Sequence, residues 1–148
     1  MRLRAGTPAD IDALETLELQ AFTHDRLSRR SFARFLASSR GDLIVAEADE
    51  AVCGYVLILF RSRSGVARLY SIAVDAENAG HRIGSRLLEA AEHIAYRRGA
   101  KTVRLEVRER NLAARKLYRR FGYAIVDRLV QYYEDGSHAL RLQKILAG

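Results

Sequence analysis

The chain has 148 residues, of which 49% are hydrophobic and only one is a proline, so it is long and apolar enough to form one domain over residues 1–148. The single cysteine, Cys53, excludes an internal disulfide framework, and the longest apolar stretch, residues 52–60, is too short to span a bilayer. The N-terminal segment lacks the apolar region of a secretory signal. These features predict a soluble cytoplasmic protein.

The formal charge of +7, with a sequence pI of about 10.0, is the strongest compositional signal. Such a charge favours an anionic partner, such as a nucleic acid, a ribosome, or an anionic cofactor or substrate. The arginines are scattered along the chain rather than gathered in one block. A basic surface that is simply solvated is therefore an equal alternative at this point.

The first half of the chain predicts one strand, two helices and three more strands. Arg2–Ala5 is a short strand, and Thr7 is a helix N-cap with Pro8 at the first helical position and Asp10 at the third. A second helix begins at Ser28. The three following strands are expected at residues 43–48, 51–60 and 66–74.

The second half alternates helices and strands. A helix begins near Arg82 and ends near Gly99, and a strand follows at residues 101–108, in which apolar and charged side chains alternate. Asn111 caps the next helix, which ends at Gly122. Two closing strands are expected at residues 123–133 and 139–145. This order predicts a mixed α/β domain with a mostly antiparallel sheet and helices on both faces.

A glycine-flanked turn, Gly80-His81-Arg82-Ile83-Gly84, lies between the strand expected at residues 66–74 and the helix that begins near Arg82. Backbone amides at a helix N-terminus carry partial positive charge and favour an anion. The turn lacks the lysine of a Walker A loop and the glycine spacing of the dinucleotide fingerprint. It therefore indicates a pyrophosphate that is held without being cleaved, or else a plain strand-to-helix connection.

Three blocks of the sequence resemble the GNAT family of acetyl-CoA-dependent N-acetyltransferases. LYSIAV (69–74) resembles the family's central strand, AGHRIGSRLL (79–88) its pyrophosphate loop and helix, and LEVRERNLAARKLYRRFGY (105–123) its E-V-x-x-x-N-x-x-A-x-x-x-Y-x-x-x-G-F/Y block. A further stretch, YYEDGSHAL (132–140), is similar to the branch that acetylates protein N-termini, notably the ribosomal-protein alanine N-acetyltransferases. The resemblance extends to both ends of the chain.

The resemblance implies acetyl-CoA as cosubstrate, with no metal. Asn111 would contact the pantetheine arm as well as cap its helix, the plain cap being the alternative. Two positions depart from the family's loop: Ala79 replaces an Arg or Gln, and Arg82 replaces a glycine. Arg82 would fit if its φ were helical and its side chain pointed away from the phosphates. The backbone of Ile72, Ala73 and Val74 would pair with pantetheine, and the pyrophosphate would lie on Gly80, His81, Arg82, Ile83, Gly84 and Ser85.

Acetyl transfer to an amine requires a neutral nucleophile, an oxyanion donor and a proton for the leaving thiolate. The resemblance implies that Glu106 is the base, acting through water. Tyr118, on the helix after that strand, is the candidate acid, because the pKa of a phenol, about 10, is close to that of a thiol, about 8.5. The alternatives are an ion pair of Glu106 with Arg104 or Arg108, and a core position for Tyr118.

The acceptor groove is expected to be lined by Tyr70, Tyr132 and Tyr133, with Asp25 or Arg26 from the loop between the first two helices. Asp25 would meet an α-ammonium group. For each of these residues an ordinary structural role is the alternative. The four histidines and Cys53 lack metal-ligand spacing, so we expect no metal site and a buried, inert thiol.

We therefore expect an N-acetyltransferase that transfers acetyl from acetyl-CoA to the N-terminal α-amine of a protein or peptide. No membrane or nucleic-acid partner is expected, and the protein would be a monomer or homodimer. One alternative is a small-molecule amine acetyltransferase, although the basic charge would repel a polycation. The other is a non-catalytic domain that binds CoA or RNA, which the altered loop and the high pI suggest.

Overall fold

The computed structural model describes residues 1–61, 63–78 and 82–146. Within them, the helices are α1 Ile11–Ala21, α2 Arg29–Ala37, α3 Ile83–Arg97 and α4 Leu112–Arg120. The strands are β1 Arg2–Ala5, β2 Gly41–Ala48, β3 Ala51–Phe60, β4 Val66–Val74, β5 Thr102–Arg108, β6 Ala124–Leu129 and β7 Ala139–Ile145. Every predicted helix and strand is present.

These seven strands form one sheet in the order β1-β2-β3-β4-β5-β7-β6. The β4–β5 pair is parallel, and every other neighbouring pair is antiparallel. Helix α3 supplies the long crossover that a parallel pair requires. The prediction of a mixed α/β domain with a mostly antiparallel sheet is confirmed. None of the helices within the described ranges is long and apolar enough to cross a membrane.

The helices cover both faces of the sheet, as predicted. On the α1–α2 face, Leu14 and Phe32 belong to a buried cluster with residues of β2 and β3. On the α3–α4 face, α3 packs over the centre of the sheet. Helix α3 packs closely on Gly54 of β3, where a Cβ atom would lie 3.2 Å from Leu87 Cδ1 of α3 and 3.0 Å from the Ala73 carbonyl oxygen of β4. A side chain at position 54 would therefore be tighter than ordinary contact, and a glycine fits there without displacing its neighbours.

The parallel strands β4 and β5 pair over a short distance and then diverge. Their register ends at Arg68 and Arg104, although β4 continues to Val74 and β5 to Arg108. The register of β4 against β3 shifts by one residue at Tyr70, which is the extra residue of a β-bulge. A bulge bends the strand that contains it. The divergence leaves an open cleft in the middle of the sheet.

A buried carboxylate ties β1 to the start of the first helix. Asp10 accepts a hydrogen bond from the Thr7 backbone N–H at 2.8 Å, which completes the predicted cap. Arg4 donates to both Asp10 oxygens at 2.9 Å and to Glu47 of β2 at 2.8 Å. The hydrogen bond from Arg4 holds the pKa of Asp10 below its ordinary value.

The first helix begins at Pro8 after the Thr7 cap, as predicted, although its first turn, Pro8–Asp10, is a 3-10 turn and the α-helix begins at Ile11. One predicted boundary is wrong. The strand predicted at residues 123–133 ends at Leu129, because Gln131 has a φ of 52°, a left-handed conformation that cannot continue a strand. Residues 130–138 therefore form a loop between β6 and β7.

We predict that Asp10→Asn lowers the free energy of unfolding by about 1–2 kcal/mol, because it removes the charged partner of Arg4 and weakens the cap. The lowered folded-state pKa means that this contribution is full at neutral pH and is lost as the pH falls below about 4. Urea unfolding at pH 7 and pH 3.5 measures both effects. Asp12→Asn, whose carboxylate is 88% exposed, is the matched control and should change stability little. Equal losses in the two variants would contradict the assignment.

Candidate active site

The cleft between β4 and β5 opens into a cavity of about 600 Å³. Its walls come from β4, β5, α4, the α1–α2 loop and the β6–β7 loop, so segments from both faces of the sheet meet there. Eight of the residues predicted for a site line it: Asp25, Tyr70, Ile72, Glu106, Asn111, Tyr118, Tyr132 and Tyr133.

The two predicted catalytic residues approach the cavity from opposite faces of the sheet. Val103, Leu105 and Val107 of β5 point into the core on the α3–α4 face. Glu106, between them, therefore points to the α1–α2 face. Tyr118 belongs to the core on the α3–α4 face. One cavity thus connects an acidic group on one side with a phenol on the other.

Glu106 is held by two arginines that were not predicted. Its Oε1 accepts from Arg68 Nη2 at 2.8 Å and its Oε2 accepts from Arg141 Nε at 3.0 Å. The Glu106 side chain is only 7% exposed. The alternative of a surface ion pair with Arg104 or Arg108 is wrong, since Arg104 bonds to a glutamine of β7 and Arg108 to two aspartates. Arg68, at 48% exposure, is the more accessible of the two partners.

Tyr118 is both a core residue and a wall of the cavity. It is 4% exposed, and its ring contacts that of Tyr123 edge-on, with centroids 5.6 Å apart. Among the described residues, its hydroxyl has no hydrogen-bond partner, so it is free to donate into the cavity. Burial raises the pKa of Tyr118 above that of a free phenol. The hydroxyl therefore stays protonated, and full proton transfer to a thiolate is less favourable than the sequence alone indicated.

The edge of β4 that faces the cleft has no strand partner beyond Arg68 in the described part of the sheet. Ile72 lies in the cavity wall, whereas the Ala73 side chain is buried against the α1–α2 face. Val74 packs partly on the other face. Backbone groups along this edge are available to an extended ligand, which would pair with them as a further strand does.

Asn111 caps α4, as predicted. Its side-chain oxygen accepts from the Ala114 backbone N–H at 3.1 Å. Because Asn111 also lines the cavity, the amide nitrogen of its side chain is available to a ligand there. The two roles, cap and ligand contact, are therefore compatible.

The predicted pyrophosphate loop lies only partly within the described residues. Gly80 and His81 lie outside them, as does Ala79. Arg82 has a φ of 60°, so the expectation of a helical φ is wrong. This left-handed conformation explains why a glycine suits the position, since a side chain there costs energy. Helix α3 begins at the next residue, close to the predicted start.

The first turn of α3, residues 83–85, carries only small or buried side chains. Ile83 is buried in the core, so only its backbone is available to a ligand. A Cβ atom on Gly84 would lie 3.7 Å from Leu117, in ordinary contact. Ser85 accepts a weak hydrogen bond from Arg120 of α4 at 3.4 Å. Backbone amides at such a helix N-terminus favour an anion.

On the α1–α2 face, an arginine in the cavity wall joins two loops. Arg108 donates to Asp25 at 2.5 Å and to both oxygens of Asp135 at 2.9 and 3.0 Å. Its guanidinium lies 4.0 Å from the ring centroid of Tyr133. Burial raises the pKa of Tyr133 to about 12. The bridge joins the α1–α2 loop to the β6–β7 loop.

Of the remaining predicted groove residues, Arg26 lies outside the cavity wall. It donates to the Phe22 carbonyl oxygen at 2.6 Å and so caps the end of α1. Tyr70 packs on Phe35 of α2, and Tyr132 contacts Tyr133 edge-on. Of the two residues predicted to face the groove, Asp25 lines the cavity and Arg26 does not.

Several residues of the site were missed by sequence reasoning. In the sequence, Arg68 and Arg141 look like ordinary exposed arginines of their strands. The register of β4 and β7 against β5 places both of them next to Glu106. Glu18 and Tyr55 form a buried pair behind the cavity wall. Glu18 carried a usable signal, because it lies four residues after the core residue Leu14 and so falls on the apolar face of α1.

Cys53 is buried, as predicted, and burial raises the pKa of its thiol. Its Sγ donates to the Ala46 carbonyl oxygen at 3.4 Å. Over residues 1–61, 63–78 and 82–146, no group of three His, Cys, Asp or Glu side chains is arranged to hold a metal ion.

Both the sequence and the fold of this chain match known proteins. The profile of the acetyltransferase (GNAT) family matches residues 11–123. An uncharacterized N-acetyltransferase of Methanocaldococcus jannaschii is 33% identical over 145 residues, covering 97% of this chain and 91% of that protein. The N-alpha-acetyltransferase RimI of Mycobacterium tuberculosis is 34% identical over 144 residues, and the match covers 95% of this chain and 89% of that protein. The structure of the ribosomal-protein-S18-alanine N-acetyltransferase of Escherichia coli superposes with a TM-score of 0.88 at 25% sequence identity. The match covers 99% of this chain and 96% of that chain.

We predict that Arg82→Gly raises the free energy of unfolding by about 0.5–1 kcal/mol, because glycine adopts a positive φ without the steric cost that a side chain incurs. Arg86→Gly, four residues on in α3, is the matched control and should lower it by about 1 kcal/mol. Urea unfolding without added ligand measures both. A loss of stability in both variants would show that the left-handed conformation of Arg82 is not the strained feature.

Proposed function

Since this chain belongs to the GNAT family of acetyltransferases, we propose that it transfers the acetyl group of acetyl-CoA to the N-terminal α-amine of a protein or peptide. The observation that carries the proposal is the single cavity that reaches Tyr118 on the α3–α4 face and Glu106 with three tyrosines on the α1–α2 face. A donor and an acceptor can therefore approach the same point from opposite faces of the sheet.

The donor side fits the pantetheine arm of acetyl-CoA. The unpaired edge of β4, along residues 72–74, offers backbone donors and acceptors to an extended chain. Asn111 offers a side-chain amide at the opposite wall. The α3 N-terminus, including the backbone at Arg82, Ile83, Gly84 and Ser85, offers amides and partial positive charge to the pyrophosphate. The proposal extends this cradle to Gly80 and His81.

In the proposed reaction, the neutral amine attacks the thioester carbon, a C–N bond forms and the C–S bond breaks. A backbone amide of residues 72–74 stabilises the oxyanion. Tyr118 donates a hydrogen bond to the leaving sulfur and supplies its proton, and solvent then reprotonates the tyrosine. Because burial raises the pKa of Tyr118, much of its effect comes from the hydrogen bond itself.

Glu106 is proposed to accept the amine proton through water. Its two carboxylate oxygens accept hydrogen bonds from the guanidinium groups of Arg68 and Arg141. An N-terminal amine, with a pKa of about 8, loses its proton more readily than a lysine amine, with a pKa of about 10.4, and therefore asks less of the base. The more exposed Arg68 is the partner that can move away from Glu106 when an acceptor binds.

The names of the relatives support an α-amine acceptor. RimI of Mycobacterium tuberculosis is an N-alpha-acetyltransferase by name, and the Escherichia coli structure is that of a ribosomal-protein alanine N-acetyltransferase. One observation favours a small amine instead: the Arg108 bridge to Asp25 and Asp135 ties together the two loops that flank the acceptor side of the cavity. A peptide acceptor would have to pass beside this bridge or displace it.

Peptides that differ only in their N-terminus test the proposal. With acetyl-CoA and purified protein, we expect CoA thiol release with free N-termini and none with the same peptides acetylated beforehand, even when they contain lysine. Mass spectrometry identifies the acetylated nitrogen. Release only with small amines would favour the small-molecule alternative. Binding of acetyl-CoA without release by any amine would favour a non-catalytic domain.

Conservative changes of the two proposed catalytic residues should affect turnover rather than cofactor binding. We expect Tyr118→Phe and Glu106→Gln each to lower kcat by about 10²-fold, the usual size of one general acid or base contribution. The Kd of acetyl-CoA, measured by calorimetry, should stay within about twofold because neither change removes a backbone contact. Tyr123→Phe, a buried tyrosine in contact with Tyr118, is the matched control and should keep its turnover. Normal turnover of Tyr118→Phe would exclude it as the acid.

A further inference from the structure

A buried carboxylate behind the cavity wall has no part in the reaction proposed above. Glu18 of α1 is 2% exposed. Its Oε2 accepts from the Leu27 backbone N–H at 2.7 Å, and its Oε1 accepts a short hydrogen bond from the Tyr55 hydroxyl. The Tyr55 oxygen lies 2.6 Å from Ser71 Oγ. A chain of three side chains thus runs from the interior of the α1–α2 face to β4.

The far end of this chain lies at the cavity. Ser71 is part of its wall, between Tyr70 and Ile72 on the unpaired stretch of β4. Within the described residues, Tyr55 is the only side chain that bonds to Ser71 Oγ. Glu18 also fixes the end of the α1–α2 loop through Leu27, so one carboxylate positions two walls of the acceptor side.

Counting protons fixes the direction of the hydrogen bonds. When Glu18 is ionised, its carboxylate can only accept, so the Tyr55 hydroxyl must use its single proton on Glu18. The Tyr55 oxygen can then only accept from Ser71, and the serine must use its single proton on Tyr55. Ser71 is left with lone pairs and no proton for the cavity. The buried charge therefore makes Ser71 an acceptor, whereas an ordinary serine can also donate.

We propose that Ser71 binds the acceptor substrate by accepting a hydrogen bond from an N–H of its α-amino group, and that Glu18, through Tyr55, is the positioning residue that keeps Ser71 in this state. The proposal rests on the proposed function and names the group recognised at the acceptor side. A group without a proton to donate, such as a carboxylate, meets only lone pairs at Ser71 and is disfavoured there.

The surroundings of Glu18 keep its carboxylate sensitive to pH. Burial raises its pKa, while the hydrogen bonds from Tyr55 and Leu27 and the charge of Arg26 oppose the increase. Burial also raises the pKa of Tyr55, with Glu18 and Tyr70 adding to the increase, so Tyr55 remains a donor. When Glu18 becomes protonated, its proton can face Tyr55 and the chain can reverse. Acid pH should then weaken acceptor binding at Ser71.

Three substitutions interrupt the chain at successive points. Ser71→Ala removes the oxygen that would accept from the substrate, and Tyr55→Phe removes the hydroxyl that links Ser71 to Glu18. Glu18→Gln introduces an amide N–H that can donate to Tyr55, which would reverse the direction of the hydrogen bonds. Tyr123→Phe breaks a second Tyr–Glu pair, in which Tyr123 donates to Glu92 at 2.9 Å away from the cavity wall. It is the matched control for the loss of a buried hydrogen bond.

Steady-state kinetics with a free-N-terminus peptide and acetyl-CoA test the proposal. We expect each of the three substitutions to raise the KM of the peptide by about tenfold, a usual effect of losing a hydrogen bond to a charged group. In these three variants, kcat and the KM of acetyl-CoA should change by less than about twofold. In the control Tyr123→Phe, kcat and both KM values should also change by less than about twofold. As the pH is lowered from neutral, the wild-type peptide KM should rise relative to that of Glu18→Gln.

Ser71→Ala keeps the test valid if the buried variants fold poorly, because Ser71 is a partly exposed residue of the cavity wall and the change leaves the Tyr55–Glu18 hydrogen bond in place. Thermal unfolding shows which variants are folded. An unchanged peptide KM in folded Ser71→Ala would overturn the proposal. So would a fall in kcat at constant KM, since that indicates a role in proton transfer rather than in binding. If no peptide or amine is acetylated by the wild type, the proposed function itself has failed.

Discussion

The divergence of β4 and β5 is the constraint on which the rest of the site depends. The two strands are parallel neighbours, but their pairing ends at Arg68 and Arg104 because the bulge at Tyr70 bends β4 away. The same event frees the backbone edge of β4 and opens a passage through the sheet. Without the divergence, Glu106 and Tyr118 would lie on opposite faces of a closed sheet and could not act on one substrate.

The acceptor side of the passage is built from paired charges. Arg68 and Arg141 share Glu106, Arg108 joins Asp25 to Asp135, and these pairs leave few side chains free to bind a charged substrate without breaking an existing contact. The Arg108 pairs are partly exposed, and such pairs contribute little net stability, so exchanging one for a substrate contact costs little. The pairs of Glu106, which is only 7% exposed, cost more to break unless the substrate replaces the lost partner. A lining that is already charged in this way suits the proposed amine acceptor.

Sequence patterns predicted the fold well because its elements are locally encoded. Asn111 and Ser28 cap helices with side chains that the sequence shows directly, and the alternation along β5 gives the direction of Glu106. The partners of Glu106 could not be predicted, because Arg68 and Arg141 reach it only through the register of three strands. The left-handed φ values of Arg82 and Gln131 were missed for another reason: non-glycine residues rarely adopt them, so composition gives no warning.

Gly54 couples the buried sheet to the mouth of the cofactor cradle. A methyl carbon at this residue would lie 3.2 Å from Leu87 Cδ1 of α3, closer than ordinary contact, so this side chain would have to shift. The amides proposed to hold the pyrophosphate are those at the first turn of the same helix, where Ile83 Cγ2 would lie 3.4 Å from such a methyl carbon. The absence of a side chain at Gly54 therefore lets α3 pack directly on the sheet, and this packing helps to set the position of the amides in the proposed cofactor site.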